Sequence, residues 1–166
     1  MYKYVISKLP SGQTVYLDLI NSLAGEYVSR QPHVLTVIKE ALPKIEFRTQ
    51  KSFWVEHDMG RVVGNTDIVK TTDKDNIYYA QGRKRQEFSR FAKNRLPESS
   101  AILTILVAQD DTGDYEVVDT WVGPNRPMFP GHIDESSASK EFWGNHALVN
   151  NAHPIQSNTI TKNCPY

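Results

Sequence analysis

The chain has 166 residues, with 19 lysines and arginines against 19 aspartates and glutamates. That length fits one domain with a real core, and the charge balance excludes a bulk electrostatic bias toward nucleic acid or membrane. One cysteine, Cys164, excludes an intrachain disulfide framework, and neither a signal-peptide stretch nor a run of roughly 18 apolar residues is present, so the expected location is the cytoplasm.

In chain order, Pro10-Ser11-Gly12 marks a turn, and residues 14–20 fit either a strand or the start of a helix. From 33 to 42, Val34, Leu35, Val37, Ile38 and Leu42 recur at helical spacing between Pro32 and Pro43, which predicts the clearest helix. Beyond Pro43 the pattern turns to period two and to β-formers, predicting strands at 45–47 and 53–56. The Gly64-Asn65 pair suits a tight hairpin, 72–76 another turn, and 76–81 the next strand. Phe88, Phe91 and Leu96 would line one face of a helix. The apolar run 101–108 and the alternating run 115–122 read as strands joined by the hairpin loop Asp110-Asp111-Thr112-Gly113-Asp114.

After Gly123 the composition shifts to Gly, Pro, Asn and Ser, with a short helix-like piece at 139–150. The expected fold is therefore α+β: an N-terminal helical part packed on an antiparallel sheet of consecutive hairpins. It forms a single domain over 1–150, with a polar C-terminal tail at 151–166 that is ordered only if Ile155, Ile160 and Tyr166 dock. Leu103, Ile105 and Val107 beside Val117, Tyr79 and Trp121 are the expected core.

Charge is unevenly spread. Arg83, Lys84, Arg85, Arg90, Lys93 and Arg95 face only Glu87 within 83–95, whereas Asp110, Asp111, Asp114, Glu116 and Asp119 follow with no cation among them. Upstream lies His57-Asp58-Met59-Gly60-Arg61, and if hairpins pair in chain order, His57, Arg61, Arg83 and Arg85 come from adjacent elements. A histidine can take or give a proton near neutral pH, and guanidinium groups hold phosphate and stabilise added negative charge. These are the parts needed for metal-free RNA cleavage, with His57, Arg61, Arg83 and Arg85 catalytic, and Tyr79, Lys84 and Trp121 binding ligand by stacking or charge. The structural alternative is that His57 merely ends a strand, Arg61 and Arg85 are solvated, and Tyr79 is core.

A helical N-terminal part followed by an antiparallel meander, with His57 and Gly60-Arg61 before it and Arg83 and Arg85 farther along, resembles the metal-independent ribonuclease and toxin folds grouped as barnase, EndoU, colicin and RelE types. The resemblance is architectural, spans about residues 32–122 and reproduces no continuous family motif. It implies RNA cleavage by general acid–base chemistry, in a protein of toxin or defence type.

Other chemistry has less support. His57-Asp58 is also a dipeptide of metal-dependent phosphohydrolases, but His33, His132, His146 and His153 lack paired ligand spacing, so neither metal nor cofactor is expected. Cys164 has no base beside it, and the segment around Phe142, Trp143 and His146 reads first as packing. The alternative to a ribonuclease is a non-enzymatic module that holds RNA, a protein partner or an inhibitor.

Overall fold

The computed structural model describes residues 3–47 and 51–166. In chain order the elements are β1 (Lys3–Lys8), β2 (Thr14–Asp18), α1 (Leu23–Arg30), α2 (Val34–Ala41), a 3-10 turn (Leu42–Lys44), β3 (Ser52–Asp58), β4 (Gly64–Thr66), β5 (Ile68–Lys70), β6 (Ile77–Gln81), β7 (Phe88–Ala92), β8 (Glu98–Ser100), β9 (Ile102–Gln109), β10 (Tyr115–Val122), α3 (Ser139–Asn145) and β11 (His146–Val149). A second 3-10 turn follows at Ser157–Thr159. This is a mixed α/β chain with mostly antiparallel sheets. Its contacts gather into two compact units, Met1–Asn65 with Ser99–Asn125, and Thr66–Glu98 with Arg126–Tyr166.

The first unit is a five-stranded sheet in the order β1-β2-β10-β9-β3. Its pairings are antiparallel except β2 with β10, which run parallel with Val15 opposite Tyr115. Alternation decides which side chains share a face. Phe53 and Val55 stand opposite Val107 and Ile105, and Val107 stands opposite Val117, so these residues line one apolar face. A register shift between Val117 and Asp119 turns Thr120 and Val122 onto that face and leaves Asp119 and Trp121 on the other. The buried Thr120 hydroxyl donates to the Thr104 carbonyl at 2.8 Å, so no polar group is orphaned there.

Two helices cover the apolar face. Ala24 and Val28 of α1 and Val34, Val37, Ile38 and Ala41 of α2 join Val15, Leu17, Leu103 and Ile105 in one core cluster. Burying each such side chain contributes roughly 1.5–3 kcal/mol for the larger ones. The entry to α1 is compact. The Asp18 carboxylate accepts the backbone N–H groups of Ile20 and Asn21, Ser22 donates to the Asp18 carbonyl at 2.6 Å, and the Ser22 hydroxyl caps the helix by accepting Gly25 N–H at 2.8 Å. A Cβ at Gly25 would fall 2.2 Å from the Asp18 carbonyl oxygen, so only glycine lets the helix pass this close.

The second unit is a four-stranded sheet in the order β5-β11-β7-β6. β6 and β7 form a hairpin, and β11 inserts antiparallel to β5 and parallel to β7. Trp143 of α3 is fully buried, its ring 4.5 Å from that of Phe129 and its indole N–H donating to the Pro127 carbonyl at 3.1 Å. The C-terminal segment bridges to β6: Thr161 exchanges both backbone hydrogen bonds with Tyr79 at 2.7 and 2.9 Å, and Ile155 bridges to Gly82. Of the three residues expected to dock, Ile155 packs on the core and Tyr166 meets Tyr79 edge-on at 5.8 Å, whereas Ile160 stays half exposed.

Several expectations are corrected. The chain does not open on a helical part set against one sheet; the β1–β2 hairpin precedes the helices, and the strands divide among several sheets. Residues 88–92 are a strand, because β7 is paired on both sides and buries residues from both faces, which hides its period of two. Gly64-Asn65 lies within β4 rather than a turn, and the helix-like piece at 139–150 ends at Asn145, where β11 begins. Segment 45–47 carries no strand; it follows the 3-10 turn, which ends at Lys44, and Ile45 is buried.

Candidate functional site

The candidate residues fall in both units. His57, Arg61 and Trp121 belong to the first, and Tyr79, Arg83, Lys84 and Arg85 to the second. Of the expected core, Leu103, Ile105, Val107 and Val117 are buried in one cluster, Tyr79 is buried in the second unit, and Trp121 lies on the opposite face of the first unit's sheet.

In the first unit, His57 stands opposite Leu103 near the end of β3, on the same face as Phe53 and Val55 but only half buried. Its imidazole makes no hydrogen bond or ion pair among the described residues. Arg61 follows a turn in which Asp58 accepts Gly60 N–H at 2.8 Å, and its guanidinium is ion-paired with Glu40 of α2 at 2.8 Å. Both partners are exposed, so the pair adds little stability, but it occupies the arginine. Trp121 packs its ring 5.0 Å from that of Trp54, and its indole N–H donates to the Pro124 carbonyl at 3.0 Å.

In the second unit, Arg83, Lys84 and Arg85 occupy the connection between β6 and β7, all three exposed. The main chain there is held from several sides. Arg83 N–H donates to the Pro154 carbonyl and Arg85 N–H to the Gly82 carbonyl, both at 3.1 Å. The Gln156 amide donates to the carbonyls of Gly82 and Arg85 at 2.9 and 3.2 Å, and the Gln81 amide to that of Gln86 at 2.8 Å. Lys84 takes φ +63°, a left-handed conformation that costs a lysine on the order of 1 kcal/mol and persists only where surrounding bonds impose it. Arg85 approaches Glu87 only at 4.0 Å, and the side chains of Arg83 and Lys84 have no partner among the described residues.

Tyr79 is 9% exposed, and burial pushes its hydroxyl up from the ordinary tyrosine value. Behind it, Arg90 donates to the Thr71 hydroxyl at 2.8 Å and the His146 carbonyl at 3.0 Å, while its Nε and the Tyr166 hydroxyl are buried without partners among the described residues. His146 is spent on packing: its ring stacks on Phe142 at 4.1 Å and its Nδ1 lies 3.0 Å from the Phe142 carbonyl.

A feature that sequence reasoning missed is an open cleft of about 1010 Å³ in the first unit, between the β1–β2 turn, segment 42–47 and the base of the β9–β10 hairpin. Its lining comes from three stretches distant in sequence, and no local pattern joins them. Among the described residues, no group of three or more His, Cys, Asp or Glu side chains is placed to hold a metal ion, and no helix is long and apolar enough to cross a membrane. No protein-family model, curated protein or solved structure matches the chain.

Proposed function

We propose that this protein binds RNA through the cationic turn of its second unit. The observation that carries this reading is the pairing of unengaged cations with a tied backbone: the side chains of Arg83 and Lys84 have no partner among the described residues, yet the turn beneath them is tied to the C-terminal segment by Gln156 and Pro154. Phosphate contacts made by such groups depend on charge and position rather than base identity, and a preorganised turn spends less ordering entropy on binding. The net neutrality of the chain makes this local field its main attraction for a polyanion.

Fluorescence anisotropy with a labelled single-stranded RNA tests the reading. Reversing Arg83 and Arg85 to glutamate should weaken binding at least tenfold and flatten its salt dependence, while reversing Lys39 and Lys44 should change little. Equal losses from both pairs would sink the proposal.

RNA cleavage is the second reading, and what favours it is the imidazole of His57, which has no partner among the described residues. A ribonuclease of this kind, in the manner of toxin or defence proteins, would use His57 as base or acid on the ribose 2′-hydroxyl and need no metal. Product RNA would carry a 2′,3′-cyclic phosphate, cleavage would persist in chelator, and His57→Ala would lower the rate by roughly 10² to 10⁴. RNA that stays bound but uncut by wild-type protein would leave the binding module as the function.

A further inference from the structure

We propose that the cleft of the first unit is a binding site for a small amphipathic monocarboxylate, a ligand with an aliphatic body and one carboxylate. The floor is apolar: Leu42 and Tyr115 are buried, Ile45 is 9% exposed, and half-buried Leu9 and Phe47 complete it. Phe47 packs edge-on against Tyr115 at 4.9 Å and against Phe53 at 5.7 Å, so the aromatic wall is fixed from behind by the core. At about 1010 Å³ the open cleft has room for a small molecule, and its apolar floor is bordered by the polar side chains of Lys8, Ser11, Gln13 and Gln109, a body-and-rim arrangement suited to an amphipathic ligand.

The rim selects the sign of charge. Among the described residues that line the cleft Lys8 is the one charged residue; it is exposed, and its ammonium has no ion-pair partner among the described residues. Each of the neutral amides beside it spends one N–H on the same acceptor. Gln13 and Gln109 both donate to the Gly113 carbonyl, at 2.7 and 3.0 Å, which holds the rim in place and leaves Lys8 as the cation available to a ligand. An aliphatic chain on the floor with a carboxylate at Lys8 satisfies both halves of the site, since apolar burial supplies affinity and the ammonium supplies orientation. A single negative charge fits better than two, because Asp110 and Asp114 stand on the hairpin loop that adjoins Gln109.

The experiment is a titration of the full chain, followed by backbone amide NMR shifts, with octanoate, octanol and octyltrimethylammonium, three probes with the same tail and different heads. Octanoate should produce saturable shifts centred on Leu9, Leu42, Ile45 and Phe47, with an affinity at least fivefold above that of octanol. Lys8→Glu, a change at an exposed side chain, should remove that fivefold preference and leave octanol binding as it was. Leu9→Gln should weaken octanoate and octanol alike. Shifts that fail to saturate or spread away from the cleft, equal binding of all three heads, or octanoate affinity unchanged in Lys8→Glu would each overturn the proposal.

Discussion

The two units bury their interiors by different means. In the first, one continuous cluster runs from Val15 and Leu17 through Ile105 and Val117 to the helices, and its buried polar residues are hydrogen-bonded where they stand, Asp18 at the entry to α1 and Thr104 and Thr120 in β9 and β10. In the second, burial is split between two small clusters, one around Trp143, Phe91 and Leu148 and one around Val69 and Ala147. Hydrogen bonds and ion pairs then close the gaps. Arg95 alone reaches the Lys70 carbonyl at 3.1 Å, Asp75 at 3.3 Å and Glu98 at 2.8 Å. A small sheet cannot bury enough apolar surface to be held by area alone, so a large aromatic side chain and directional bonds carry more of its stability.

The sharpest way to break this comparison is to remove the central side chain of each unit. Trp143→Ala should cost about 3–5 kcal/mol, and Ile105→Ala, set in a larger cluster, about 2–5 kcal/mol with the smaller of the two measured values. Urea denaturation of both variants reads this directly. If Ile105→Ala proves the more damaging, the second unit does not hang on its tryptophan.

A smaller effect is expected from acid. The Asp75 carboxyl is held below the ordinary carboxylate range, first by the Thr72 backbone N–H and then by Arg95. A depressed carboxylate contributes stability that is fully present above its unfolded value, about 3.9, and is lost as pH falls through the lower folded value. Stability of the wild type should therefore drop below about pH 4, and Asp75→Asn should show a flatter acid limb with lower stability at neutral pH. Identical pH profiles for the two proteins would remove this polar tie from the account.

The smallest effect concerns a polar atom that does not help. The Tyr166 hydroxyl is buried with no partner among the described residues, and burial pushes it far above the usual tyrosine range. Tyr166→Phe keeps the ring against Tyr79 and deletes the orphan, so stability should rise or stay within about 0.5 kcal/mol. A larger loss in thermal unfolding would mean that the hydroxyl is satisfied after all.

Legibility in the sequence followed from how each element is buried. α2 shows its period because only one face meets the sheet, and β10 reads cleanly because most of its length alternates, Tyr115 and Val117 inward with Glu116 outward. α1 was hidden because its contact face is built on Ala24 and Gly25, which give no apolar period, and its packing rests on a close backbone approach. β7 was hidden by burial on both faces. The candidate residues were only partly legible. Reading hairpins in chain order puts His57, Arg83 and Arg85 on adjacent elements; the structure assigns His57 to the first unit and Arg83 and Arg85 to the second, because residues 66–98 leave the first unit and 99–125 return to it, a long-range exchange that no local pattern encodes. The basic character of 83–85 was legible from composition; that its main chain is pinned by Gln156, more than seventy residues away, was not.

The C-terminal segment that completes the edge of β6 has a consequence for the order of events during synthesis. Every residue of the first unit has been made by Asn125, so its sheet and helices can assemble on a nascent chain, domain units generally folding in the order they emerge. The second unit has to wait. Its central strand β11 ends at Val149, and the edge of β6 keeps bare backbone groups until Ile155 and Thr161 arrive to pair with Gly82 and Tyr79. During that interval the β6–β7 hairpin is an unpaired edge exposed to other chains, a state prone to association, and the exposed cations of Arg83, Lys84 and Arg85 at its tip are the kind of charge that discourages such pairing.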